Sequence, residues 1–189
     1  MLSRRTLLAG SAAGAIGLVN APVHAGAVLT EDGIYTQPWF LESFLELSND
    51  LAGASEKKKR LAIMWELRGC PYCKETHLVN FAKPEVENFI KERFEVLQLN
   101  IIGSREVTDF DGQKLSEKAL AQKYGVRYTP TIQFFPDSIA GLAQKTPKDR
   151  EITRVQGYLA PPAFLSMFRF VVDRAYEKGT LQDYLKANS

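Results

Sequence analysis

The chain has 189 residues, 45% of them hydrophobic and 24% charged, a globular composition that excludes collagen-like, low-complexity and disordered classes. The formal charge is +2, and without Arg4 and Arg5 the balance is 22 basic against 22 acidic residues. A neutral chain carries no electrostatic footprint for nucleic acid or acidic lipid. Past the first twenty residues no uncharged run reaches membrane-spanning length, so no membrane span is expected in the mature form.

The N-terminus opens with Met-Leu-Ser-Arg-Arg-Thr-Leu-Leu, continues through an Ala- and Gly-rich apolar run to Val19, and reaches Val23-His24-Ala25. A basic start, a short apolar stretch and a small-x-small site predict a cleavable export signal over residues 1–25. Arg4-Arg5 within Ser-Arg-Arg-x-Leu-Leu resembles the twin-arginine signal; an ordinary secretory signal is the alternative. Cleavage near Ala25 would place one domain, residues 26–189, in the periplasm, where thiol pairs can be oxidised.

Residues 26–37 show no period and read as a loose lead-in. From Pro38 a helix is expected, with Phe40, Phe44, Leu47 and Leu51 on one stripe. Leu61-Ala62-Ile63-Met64-Trp65 suits a buried strand. Arg68-Gly69-Cys70-Pro71-Tyr72-Cys73-Lys74 follows as a turn entering a helix, and Pro84 starts another helix. Phe94–Ile101 reads as a strand, and residues 102–115, with the turn dipeptide Asp111-Gly112, as a small hairpin or loop excursion. A helix from Ser116 to Tyr124 stops at Gly125. Strands at Thr131–Phe135 and Glu151–Gln156 form a hairpin, and a last long helix presents Phe164, Met167, Phe168, Val171 and Val172. This order predicts an α/β fold with a mixed central sheet of about four strands between helix layers.

Cys70 and Cys73 are the only cysteines. A loop this short restrains almost nothing of the unfolded chain, so the pair performs chemistry or holds a metal. Cys-x-x-Cys after a strand and opening a helix is the redox pattern. The helix N-terminus stabilises a thiolate at Cys70, Pro71 fixes the first turn, and Arg68 and Lys74 add positive charge. Cys73, one turn deeper, is placed to resolve the mixed disulfide that Cys70 forms with a client. The metal reading needs Cys70, Cys73 and His77, which stand at helical spacing; with His24 in the leader, a fourth ligand has to come from elsewhere. His77 itself reads as a partly exposed helix residue, about 10 Å along the helix from Cys70.

The run Trp65–Cys73, together with Tyr124-Gly125-Val126-Arg127-Tyr128-Thr129-Pro130-Thr131, resembles the two signatures of the thioredoxin superfamily. The similarity covers about residues 38–175. It implies a thioredoxin-like fold with Pro130 as a cis-proline beside the disulfide, leaving the Thr129 backbone free to pair with an extended client. Gln98–Thr131, with Glu106-Val107-Thr108-Asp109-Phe110-Asp111-Gly112, is similar to SoxW-type periplasmic thioredoxins of sulfur-oxidation systems. That likeness implies a reductant of client proteins, supplied by a membrane thiol transporter and needing no cofactor. A disulfide oxidase or isomerase, and a metallochaperone using the same thiolates, are the alternatives. Two departures stand out: Pro71-Tyr72 is the glutaredoxin dipeptide, and Met64 occupies the place of thioredoxin's buried acid. Glu66, four residues before Cys70, has two readings: proton acceptor for Cys73, or surface residue at a strand end.

Overall fold

The computed structural model describes residues 26–188; the expected export signal lies outside the described residues. A short hairpin, β1 (Val28–Leu29) and β2 (Tyr35–Thr36), turns at Gly33, whose φ of 74° suits glycine. The lead-in expected to be loose is therefore ordered. Next come α1 (Leu47–Glu56), β3 (Arg60–Glu66) and α2 (Pro71–Glu75), the last running into a π-helical turn over Thr76–Asn80. Then follow α3 (Pro84–Arg93), β4 (Phe94–Asn100), the hairpin β5 (Glu106–Thr108) and β6 (Lys114–Ser116), and α4 (Glu117–Lys123). The chain ends with β7 (Thr131–Phe134), α5 (Pro147–Arg150), β8 (Thr153–Gln156), α6 (Pro161–Val172) and α7 (Leu181–Asn188).

The central sheet has the order β4-β3-β7-β8; β4 runs parallel to β3, and β7 and β8 are antiparallel to their neighbours. This is the thioredoxin-like mixed four-stranded sheet between helices. β3 reads as a continuous apolar run because both of its faces are covered. Leu61, Ile63 and Trp65 face a cluster with Leu51 of α1, Leu120 of α4 and Phe135. Ala62 and Met64 face the other layer, with Ile90 of α3 and Phe168 of α6. Phe168 sits edge-on to Phe94 and Phe134, with ring centroids 4.9 and 5.2 Å apart, a geometry that adds to the area it buries.

The first helix corrects the expectation from Pro38. It begins only at Leu47, and Phe44, assigned to its buried stripe, is 98% exposed. Leu45 adopts φ 62°, a conformation no helix continues through. Ser43 holds the turn, its Oγ accepting the Leu45 N–H at 2.7 Å and donating to Asp50. α4 follows its sequence cues: the Ser116 hydroxyl caps the Ala119 N–H, and Gly125 takes φ 64° after the last turn. A Cβ at Gly103 would press on the buried Glu117 carboxylate, which accepts the Asn100 N–H at 2.8 Å. Beyond the core, α7 docks on α6, with Tyr184 packing edge-on to Phe170 at 5.3 Å. Among the described residues no helix is long and apolar enough to cross a membrane.

Candidate active site

β3 delivers the chain to the carboxyl end of the sheet, where Gly69, at φ 74°, turns it into α2. Cys70 is the N-cap of that helix and Pro71 its first residue. The Cys73 N–H donates to Cys70 Sγ at 3.1 Å, so a thiolate at Cys70 would be held by an otherwise unpaired helical N–H and by the helix dipole. Cys70 and Cys73 are joined in a disulfide, with Cα atoms 5.3 Å apart. Cys70 is half-buried, whereas Cys73 is 4% exposed. Solvent reaches the first cysteine and scarcely the second.

The loop before β7 closes over this pair. The Thr129–Pro130 peptide is cis, and the Thr129 carbonyl oxygen lies 3.5 Å from Cys70 Sγ. The Pro130 carbonyl accepts the Gly157 N–H at 2.7 Å, which brings Tyr158 beside α2. Tyr158 stacks on Tyr72 at 6.0 Å and donates its hydroxyl to Asn80 Oδ1 at 3.1 Å. Burial and the neighbouring Glu75 carboxylate push the Tyr158 phenol above its ordinary range. Tyr72 and Tyr128, at 55% and 64% exposure, complete with Tyr158 an aromatic rim beside α2 and the Thr129–Pro130 loop.

A buried polar chain that the sequence did not announce links the end of β3 to the π-helical turn after α2. Glu66 is 0% exposed and is no surface residue; its Oε1 lies 2.9 Å from His77 Nε2, and its other oxygen accepts a hydrogen bond from Gln98. His77 is 1% exposed, which corrects the partly exposed reading. Its place four residues after Cys73 puts it on the inward face of the helix. There Glu66 and Gln37 satisfy both ring nitrogens. With both nitrogens engaged, His77 is not disposed to join Cys70 and Cys73 around a metal. Among the described residues no group of three or more His, Cys, Asp or Glu is placed to hold a metal ion. Gln37 and Gln98 are the site residues that sequence reasoning missed. Gln37 falls in a segment without period, and a glutamine in a strand carries no signal of the carboxylate it will face.

A family model described as a thioredoxin-like domain matches residues 47–171. Among solved structures, a thioredoxin-fold protein from Helicobacter pylori is 25% identical, with a TM-score of 0.55 over 79% of this chain and 92% of that one. A thioredoxin from Thermus thermophilus is 22% identical, with a TM-score of 0.51 over 70% of this chain and 88% of that one. No curated protein matches the chain.

Proposed function

The chain belongs to the thioredoxin-like family and is a thiol–disulfide oxidoreductase, and from that premise we propose that it is an exported reductant of protein disulfides. The observation that carries the reading is the difference between the two sulfurs: one half-buried at a helix N-cap under an aromatic rim, the other buried one turn below. In the proposed cycle the Cys70 thiolate attacks one sulfur of a client disulfide, forming a Cys70–client bond and releasing the client's other sulfur as thiolate. Cys73 then attacks Cys70 Sγ. The Cys70–Cys73 bond forms, the second client sulfur leaves reduced, and the dithiol has given up two electrons. A donor dithiol, proposed to be a membrane thiol transporter, reverses the exchange. Glu66, fully buried and bonded to His77 four residues after Cys73, is the proposed acceptor of the Cys73 proton, the place of the usual buried acid being taken by Met64.

Export and the client class rest on sequence similarity: the Arg4-Arg5 leader supports delivery to the periplasm, and Gln98–Thr131 supports a SoxW-type role in sulfur oxidation. Insulin reduction by the purified dithiol tests the activity, and the reduction potential sets its direction. A potential near −270 mV is expected for a reductant; one near about −120 mV would make the protein an oxidant. Stoichiometric metal after anaerobic purification, without insulin reduction, would favour the metallochaperone. Replacing Arg4 and Arg5 by lysine is expected to strand the precursor in the cytoplasm, and undiminished periplasmic delivery of that variant would assign the ordinary secretory route.

A further inference from the structure

The β1–β2 hairpin and the segment after it precede the family-matched residues 47–171, yet they touch the dithiol helix and its surroundings at several points. Arg68 Nε donates to the Asp32 carbonyl, Lys74 Nζ stands 6.0 Å over the Tyr35 ring, and the Tyr35 carbonyl accepts from Gln98 at 2.6 Å. The innermost contact is that of Gln37. Its Nε2 lies 3.2 Å from His77 Nδ1 and 3.3 Å from the His77 carbonyl oxygen. The carbonyl can only accept, so the amide must present its NH2 group there; the flipped amide would set oxygen against oxygen. One amide hydrogen goes to the carbonyl and the other to Nδ1, which is therefore an acceptor. The ring proton sits on Nε2 and is donated to Glu66. Both Glu66 oxygens then accept hydrogen bonds, one from His77 and the other from Gln98.

We propose that Gln37 is a positioning residue for the dithiol: by donating to Nδ1 it fixes His77 in the Nε2–H form, and so keeps Glu66 ionised and able to take a proton. This rests on the proposed role of Glu66 in the preceding subsection. If Gln37 were silent, the imidazole could turn over to the Nδ1–H form, in which Nε2 accepts and Glu66 must carry the proton itself. The pair would then hold a proton before the reaction starts, and the proposed acceptor could not take the one from Cys73. As Cys73 sulfur bonds to Cys70 sulfur and the client thiolate leaves, the Cys73 proton passes to a Glu66 oxygen, and no electron moves other than those of the exchange.

Around His77 stand Glu66 on β3, Tyr35 on β2 with its ring centroid 6.4 Å away, and Phe40 and Phe81 at 5.6 and 5.4 Å; Cys73 and Lys74, four and three residues earlier, lie on α2, with Lys74 Nζ over the Tyr35 ring. Gln37 and Gln98 also line a cleft of about 850 Å³ between the N-terminal segment and the end of β4.

The test uses the mature protein with 15N-labelled histidine, in which His77 is the only histidine if the leader is cleaved as expected. The wild type is expected to show the Nε2–H pattern of ring nitrogen shifts in the neutral range. Gln37→Glu, which accepts where glutamine donates, is expected to invert the pattern or to give imidazolium. Gln37→Met, of similar shape and without a donor, is expected to give mixed tautomers and guards against a Glu variant that fails to fold. In rapid-mixing experiments on the mixed disulfide between Cys70 and 2-nitro-5-thiobenzoate, release of the coloured thiolate by Cys73 at pH 7 is expected to slow about tenfold in Gln37→Met, with its pH profile moved to higher pH. Gln37→Asn is expected to recover part of the rate. An Nδ1–H form in the wild type would overturn the proposal, as would a tautomer change in Gln37→Met with an unmoved pH profile. Failure to reduce insulin with the wild-type tautomer as stated would instead count against the functional reading.

Discussion

With Cys73 replaced by serine, the protein is expected to accumulate as mixed disulfides through Cys70, whereas Cys70→Ser is expected to form none and to lose insulin reduction down to the uncatalysed background. Two features carry the asymmetry. Cys70 Sγ accepts the Cys73 N–H from the N-cap position, and it is the sulfur that solvent reaches. A thiol with the ordinary pKa of about 8.5 is only about 3% thiolate at pH 7, so full ionisation is worth at most about thirtyfold in reactive species. Alkylation of the dithiol at pH 7 is therefore expected to mark Cys70 about tenfold faster than Cys73, burial of the latter widening the gap. Loss of activity in Cys70→Ser would not reflect a broken helix start, because serine is itself a favoured N-cap. Faster labelling of Cys73, or equal trapping by the two variants, would reverse the assignment of attacking and resolving thiols.

What was legible in the sequence follows the physics of periodicity. β3 announces itself because a strand covered on both faces is apolar at successive positions, here Leu61 to Trp65, β4 through Phe94, Val96, Leu97 and Leu99, and α4 because its stop and start are chemical, Ser116 at one end and Gly125 at the other. The stripe Phe40, Phe44, Leu47 and Leu51 misleads because apolar residues at helical spacing also suit a chain that reaches the core by another path. Phe40, Leu47 and Leu51 are buried, but the turn at Leu45 turns Phe44 out to solvent. The dithiol was legible because two cysteines three residues apart have few uses. The Glu66–His77–Gln37 chain was not, because a buried polar group is tolerable only once its partners are known. Those partners come from β3, the π-helical turn and the N-terminal segment, with Gln98 of β4 on the far oxygen of Glu66. Pairing across such separations leaves no mark in the local pattern of any one of them.

Arg150→Ala is expected to cost about 3–5 kcal/mol, the penalty for leaving a buried charge without its partner, and to lower the melting temperature by roughly 10 °C in a domain of this size. Arg150, on α5, is almost fully buried and reaches the β5–β6 hairpin. Its Nη1 lies 2.8 Å from Asp109 and 3.1 Å from the Tyr124 hydroxyl, its Nη2 lies 2.9 Å from Asp111, and its Nε donates to the Leu142 carbonyl at 2.9 Å. Asp109, also buried, further accepts from the Tyr124 hydroxyl at 2.7 Å, so three segments distant in sequence are pinned at one guanidinium. Burial pushes the Asp111 carboxyl up, but hydrogen bonds from Lys123 and Arg150 outweigh it and hold the group well below the usual carboxylate range. A carboxylate depressed in the folded state contributes stability that is present above its unfolded pKa, near 3.9, and fades as pH falls toward the folded value. Chemical denaturation of the wild type and of Arg150→Ala is therefore expected to show the full gap at pH 7 and a narrower one at pH 3, where protonation begins to remove from the wild type what the substitution has already removed. The double variant Arg150→Met, Asp109→Leu is expected to recover part of the loss, because removing both charges avoids stranding either of them in the interior. A cost below about 1 kcal/mol for Arg150→Ala at pH 7, the range of an exposed ion pair, would mean that Lys123, 2.6 Å from Asp111 and also paired with Asp109, suffices to hold the hairpin against the sheet without the buried guanidinium.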